Sequence, residues 1–301
     1  MKMELKQKRK EARQIRESFK TYYINKFYNK WMNKFKFNGL NYQQIEFIMR
    51  KFWVVGAVAV LKPVGIPEGI NLEENEIIFT PFAPQSIFNI YDYPSEVMPI
   101  NTRGVPFIPS KSLKLDEEIV IIYCQKNHKS IYSSIECKIK QLVDLEMTIR
   151  TNTKTQKFPW VVAVSPENKS AIDDMVENIE NDEPVLLTTL EEPEKAKALV
   201  SGAPYVLDKL EQLRQKLEDD IDTILGCNNV GIAEKKEHLI VDEVNANNQA
   251  IQESNDQYLE MIQEGFDREY IVLGHEVDVE LKNQVEMMDY PEESEEPKDV
   301  E

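Results

Sequence analysis

The residues from Pro204 to Gly226 constrain the fold more than any other segment. Val206, Leu210, Leu213, Leu217, Ile221 and Ile224 recur at spacings of four, three, four, four and three, which places them along one side of an α-helix. Pro204 stands near the first turn, where proline is tolerated, and Gly226 is placed to cap the end. Lys209, Gln212, Lys216, Asp219 and Thr223 occupy the opposite face. An earlier stretch, about Lys129–Thr151, has the same character, with Ile131, Ile135, Ile139, Leu142, Leu145 and Ile149 along one side. Between the two come a polar break at Lys154–Lys157 and a compact insert. Phe158–Val164, Lys169–Glu180 and Pro184–Thr189 read as strand, helix and strand, closed by the acidic linker Glu191–Glu194. Two long helices with a small domain at their tip are the predicted centre of the molecule.

Upstream, residues 4–36 read as helix, with Phe19, Tyr22, Tyr23, Phe27, Trp31 and Phe35 recurring at helical spacing. Such a stripe is a packing face far more often than a base-stacking platform. Asn38–Gly39 breaks it, and a second helix is predicted from Asn41 to about Lys51. Trp53–Leu61 reads as a buried strand ending at Pro63. Eight prolines between Pro63 and Pro109 leave room only for short strands, such as Ile77–Phe82 and Ile87–Tyr91. Glu118–Cys124 is the clearest strand. Beyond Gly226, Asn228–Asn248 is polar and irregular and contains Glu234-Lys235-Lys236-Glu237. A helix over about Ala250–Phe266 follows, then strands at Tyr270–Leu273 and Glu276–Leu281. The last sixteen residues hold eight acids and one Lys, a composition expected to be disordered. The fold class is α+β and mainly helical.

The net charge of −17 conceals an asymmetry. Residues 1–60 carry 14 Lys and Arg against 4 Asp and Glu, a balance of +10, which leaves 22 against 49, or −27, for the remainder. Lys2, Lys6, Lys8, Arg9, Lys10, Arg13 and Arg16 crowd into the first sixteen residues, either as a solvated arm or as a footprint for nucleic acid. The apolar run Val54–Leu61, even with Phe52 and Trp53 before it, is too short to span a bilayer, and no apolar segment follows the basic start as a secretory signal requires. Three scattered cysteines suit a reducing compartment and make neither a disulfide framework nor a zinc site. No phosphate-cradling glycine loop, metalloprotease histidine pair or nucleophile elbow occurs, so no cofactor is implied. Glu218, Asp219, Asp220 and Asp222 could serve a metal-dependent nuclease or phosphatase. Adjacent acids on a helix diverge, however, so a solvated face is expected and no metal site is assigned.

The stretch 203–254 carries a more specific signal: Ala203-Pro204-Tyr205-Val206, Asp208-Lys209-Leu210, Leu225-Gly226, Glu234-Lys235-Lys236-Glu237, Asp242-Glu243-Val244, Asn247, Ile251 and Ser254. In order and spacing it resembles the upper-collar portal, or head–tail connector, proteins of the smallest short-tailed, protein-primed double-stranded DNA phages. Lys157 and Pro159 also follow that pattern. Val200 departs from it, since the best-known relatives carry lysine there and Lys197 lies out of register.

The resemblance implies a non-catalytic ring subunit, typically of a dodecamer, that conducts DNA. The corresponding parts would be an N-terminal arm and β-containing wing (1–128), a first stem helix (129–157) and an SH3-like clip (158–203). A second stem or channel helix (204–226), a tunnel loop (227–249), a C-terminal wing or crown (250–285) and an acidic tail (286–301) complete the chain. It implies channel contacts by Lys235, Lys236 and Lys209, and RNA or capsid contacts by the N-terminal cations. Implied partners are other copies of the chain, double-stranded DNA, the major capsid protein, a packaging ATPase, lower-collar and tail proteins and a packaging RNA, with no membrane. The implied location is the portal vertex of the virion, after assembly in the host cytoplasm. A helical scaffold or adaptor with a basic nucleic-acid-binding arm is the alternative reading.

Overall fold

The computed structural model describes residues 2–65, 77–101, 104, 107–157, 160–163, 197–200, 206–229 and 241–282. These residues form five helices and ten short strands. In chain order they are α1 (Lys2–Met32), β1 (Phe35–Asn38), α2 (Tyr42–Val54), β2 (Ala57–Leu61), β3 (Ile78–Thr80), β4 (Phe82–Pro84), β5 (Glu96–Pro99), β6 (Leu113–Lys114) and β7 (Ile119–Tyr123). Then come α3 (Ile131–Lys157), β8 (Trp160–Ala163), β9 (Lys197–Val200), α4 (Leu207–Leu225), α5 (Val241–Leu273) and β10 (Asp278–Leu281). The class is α+β, mainly helical, with small antiparallel sheets. Two compact units are present, one of residues 20–140 and 218–301, the other of residues 1–19 and 141–217.

The larger unit is built on the sheet β3-β2-β7, in which Ala59 of β2 faces Thr80 of β3 and Ile121 of β7. All five residues of β2 are buried, so this strand shows no polar alternation and reads as one apolar run. α5 lies against β7. Gly265 in its interior is disfavoured relative to alanine by about 1 kcal/mol, but a Cβ there would stand 2.7 Å from Ile122 Cγ2. An aromatic wall completes the core: Tyr23, Phe27 and Trp31 of α1 are fully buried, and the Trp31 ring meets Phe35 and Tyr258 edge-on at 5.5 and 5.3 Å. The aromatic stripe is thus a packing face, with Tyr22 at its exposed margin. A second sheet, β4-β5-β6, carries Val97 and Leu113 into the same core.

Several predicted boundaries move. The first helix ends at Met32, and Phe35–Asn38 instead pairs with Asp278–Leu281 as β1 and β10, a contact between chain ends that no local pattern announces. Trp53 and Val54 belong to α2, whose stop is set by Gly56 (φ +89°), where a Cβ would collide with the Lys129 carbonyl. Ile87–Tyr91 is a turn, because the Asn89 side chain accepts from the Tyr91 and Tyr93 amides at 2.9 and 3.1 Å. Tyr270–Leu273 is the last turn of α5, which begins at Val241 rather than near Ala250. Gly274 (φ +74°) ends it, donating to the Tyr270 carbonyl at 2.8 Å. Strand propensity in Tyr-Ile-Val-Leu yields here to continuation of a formed helix.

In the smaller unit α3 runs without a break through Lys154–Lys157. Three of its threonines are satisfied within the helix: Thr148, Thr151 and Thr153 donate to the carbonyls four residues back at 2.8–2.9 Å. Leu142, Val143 and Leu145 are buried. β8 pairs with β9, Trp160 facing Val200 and Ala163 facing Lys197, so a strand follows the acidic linker where none was predicted. The predicted helix at Lys169–Glu180 and strand at Pro184–Thr189 lie outside the described residues, as does the acidic tail.

Candidate functional site

Within the larger unit, Lys26 and Lys30 of α1 are four residues apart and share one helix face, and Lys34 follows two residues past the helix end at Met32. They form a ladder along the end of α4. Lys26 Nζ lies 2.7 Å from Glu218 Oε2, and Lys30 Nζ lies 2.5 Å from Asp222 Oδ2. Glu218 and Asp222 are only 9 % and 5 % exposed, while Asp220 pairs with Lys138 at 2.7 Å. The acidic run is therefore not a solvated face. Burial raises the Asp222 pKa, and the Lys30 ammonium opposes that rise. These pairs commit to lysines the carboxylates that a metal-dependent nuclease would need.

The third rung closes the helix. Lys34 donates to the Leu225 carbonyl and Asn255 Oδ1, and lies 3.4 Å from the Gly226 carbonyl. It is 7 % exposed, with its ammonium 4.8 Å from the Tyr258 ring centroid. Burial lowers its pKa to about 8, which leaves it protonated at neutral pH. A buried cation is tolerated here because the helix C-terminus presents unpaired carbonyls and the negative end of its dipole. Gly226 (φ +66°) is required twice over: by its left-handed backbone and because a Cβ would strike Lys34 Nζ and Asn255 Oδ1. The Tyr258 hydroxyl donates to the Ile224 carbonyl at 2.9 Å.

Just beyond, Asn229 Nδ2 donates to the Asp219 carbonyl and Thr223 Oγ1, both at 3.0 Å. Its Oδ1 accepts from Asn247 Nδ2 at 2.7 Å. A side-chain hydrogen bond thus joins Asn229 to Asn247, and Asn229 is fixed to the end of α4.

Lys235 and Lys236 lie outside the described residues. Lys209 is exposed on α4 in the smaller unit, with no ion pair among the described residues. Lys2, Lys6, Lys8 and Arg9 fall on α1, but their side chains are not among those described. Lys10 and Arg13 are exposed, and Arg16 is engaged by Asp144. Among the described residues no group of His, Cys, Asp and Glu could hold a metal ion, and no helix is long and apolar enough to cross a membrane. Sequence reasoning counted Lys26, Lys30 and Lys34 only as part of a basic head. The available signal was their four-residue spacing, matched by that of Glu218 and Asp222.

The described residues thus present a carboxylate–lysine ladder, a capped helix end and exposed cations. The chain matches the family described as Phage Connector (GP10) over residues 3–286 and belongs to it: it is a phage portal subunit of the head–tail junction, without enzymatic activity. Membership implies a ring homo-oligomer associated with capsid and tail in the virion. The chain is similar to a chain in the portal and tail of native bacteriophage P68, at 13 % identity over 93 % of this chain and 91 % of that one, with a TM-score of 0.47. It is also similar to an HK97 family phage portal protein from Corynebacterium diphtheriae, at 8 % identity over 85 % and 88 % of the two chains, with a TM-score of 0.46.

Proposed function

We propose that the segment holding Lys235 and Lys236 reaches into the central channel of the ring and meets the phosphates of a threaded duplex. The supporting observation is the anchored base: Lys34 caps α4, and the Asn229–Asn247 bond of 2.7 Å ties the two flanks of that segment together. A loop that must bear the load of moving DNA needs such a fixed base. Repetition around a ring would turn one lysine pair into a basic collar, with Lys209 on the polar face of α4 as a second. Contacts to phosphate carry no sequence information, which suits a conduit for a whole genome. Acidic surfaces elsewhere repel the duplex and limit sticking.

On this reading α3 and α4 are stem helices, residues 158–203 form an SH3-like clip toward the packaging ATPase, and residues 1–128 and 250–285 form the wing. The N-terminal cations meet a packaging RNA or the major capsid protein, and lower-collar and tail proteins dock on the ring. A dodecamer assembled in the host cytoplasm is the corresponding assembly. Replacing Lys235 and Lys236 by alanine in an infectious clone should give heads that package DNA but lose it. Full heads that retain DNA as wild type does would refute the channel assignment.

A further inference from the structure

Fifteen large apolar side chains are exposed among the described residues, and five of them fall within seven positions: Ile87, Phe88, Ile90, Tyr91 and Tyr93. Single exposed apolar residues are ordinary, but a cluster marks a contact surface. Ile90 and Tyr91 at the tip are 89 % and 75 % exposed.

The tip is also pre-formed. Gln85 donates to the Glu96 carbonyl at 3.0 Å, Ser95 to the Ile87 carbonyl at 2.8 Å and Asn89 to the Tyr93 carbonyl at 2.8 Å. The Asn89 side chain holds the Tyr91 and Tyr93 amides, and Asp92 takes φ +60° to complete the turn. Aromatic side chains on a fixed turn lose little conformational freedom when they are covered.

Charge selects the occupant. Residues 85–95 contain one charged side chain, Asp92, in a chain that is 30 % charged with net −17. Copies of so acidic a chain repel one another, so contact between copies is least opposed where charge is sparse. A basic partner would instead gain by docking on the acidic surface. We infer that the 87–93 tip is a subunit–subunit contact of the ring, inserting into a different surface of the neighbouring copy, as a cyclic, heterologous interface requires. This rests on the ring assembly given above and adds the surface that closes it.

The test uses the full chain. Sedimentation velocity should show F88S/Y91S as a folded monomer, its ring fraction reduced at least tenfold and its far-UV circular dichroism that of wild type, because both side chains are exposed in the single chain. A photoreactive benzoylphenylalanine at position 90 in an otherwise wild-type ring should cross-link to a second copy of the chain. Wild-type ring yield from F88S/Y91S together with the absence of self-cross-links would overturn the inference and leave the tip to a head or tail protein. A wild-type chain that stays monomeric under the same conditions would overturn the ring assembly itself.

Discussion

The two halves of α1 put the same kind of side chain to opposite uses. Lys10 and Arg13 are exposed, whereas Lys26 and Lys30 on a later stretch of the same helix, with Lys34 just past its end, are committed to carboxylates and carbonyls at the end of α4. Nothing in the residue type or its spacing along α1 distinguishes them. The difference is made by whether matching acceptors stand opposite and whether water is excluded, and it separates charge that holds the fold from charge left for a partner.

The largest effect expected from breaking this contrast is at Lys34. Lys34→Ala removes the cation and strands the Leu225 carbonyl and Asn255 Oδ1 in a buried site. Hydrogen bonds to a buried charge and an uncompensated partner set the loss at about 3 kcal/mol. The desolvation that holds the Lys34 pKa near 8 keeps the figure from being larger. Urea unfolding of the wild-type and variant chains measures it, and a difference below about 0.5 kcal/mol, the size of an ordinary surface change, would contradict the capping role.

Glu269 sharpens the comparison from the acidic side. It is fully buried on α5, as Asp222 nearly is on α4, yet neither of its carboxylate oxygens has a hydrogen-bond partner among the described residues. Burial pushes its pKa up from 4.5 to about 7, against a weak pull from Lys62. The native state therefore holds its proton to higher pH than the unfolded chain does. Its contribution to stability is intact below about pH 4.5 and is lost as pH rises through about 7. That rise corresponds to roughly 3 kcal/mol at pH 8. Because Glu269→Gln still buries an amide, the expected gain is about 2 kcal/mol at pH 8, shrinking toward zero near pH 4.5. Urea unfolding at both pH values tests this, and an equal effect at the two would dismiss the buried-acid assignment.

How much of this was legible in sequence follows the same division. The helix after Val206, its glycine stop, the aromatic stripe of α1 from Tyr23 to Trp31 and the β7 strand are local patterns and stand where they were read, while Leu213 is exposed and Phe35 belongs to β1. The pairing of β1 with β10 joins Phe35 to Leu281, and the ladder joins Lys26 to Glu218. Both depend on which distant segments meet. The run Glu218–Asp222 looked solvated because four acids on one turn of helix ought to be, and its engagement depends on Lys26 and Lys30 of α1 and Lys138 of α3. Residues 87–91 carry strand-forming side chains, but Asn89 competes for the backbone amides and wins. The tip is thus a place where local propensity fails and an exposed surface results.

The smallest effect is expected where charge is free. If the N-terminal cations bind RNA, Arg13 contributes one phosphate contact, and Arg13→Ala should leave the melting temperature unchanged. The slope of log K against log salt for binding to a single-stranded RNA should become shallower by about 0.7, the counterion release of one contact. Arg16→Ala should change that slope less, because Arg16 already has Asp144 as a partner. Fluorescence-anisotropy titrations at several salt concentrations would register both. An unchanged slope for Arg13→Ala, or a larger change for Arg16→Ala, would mean that exposure on α1 does not identify the side chains that reach a nucleic acid.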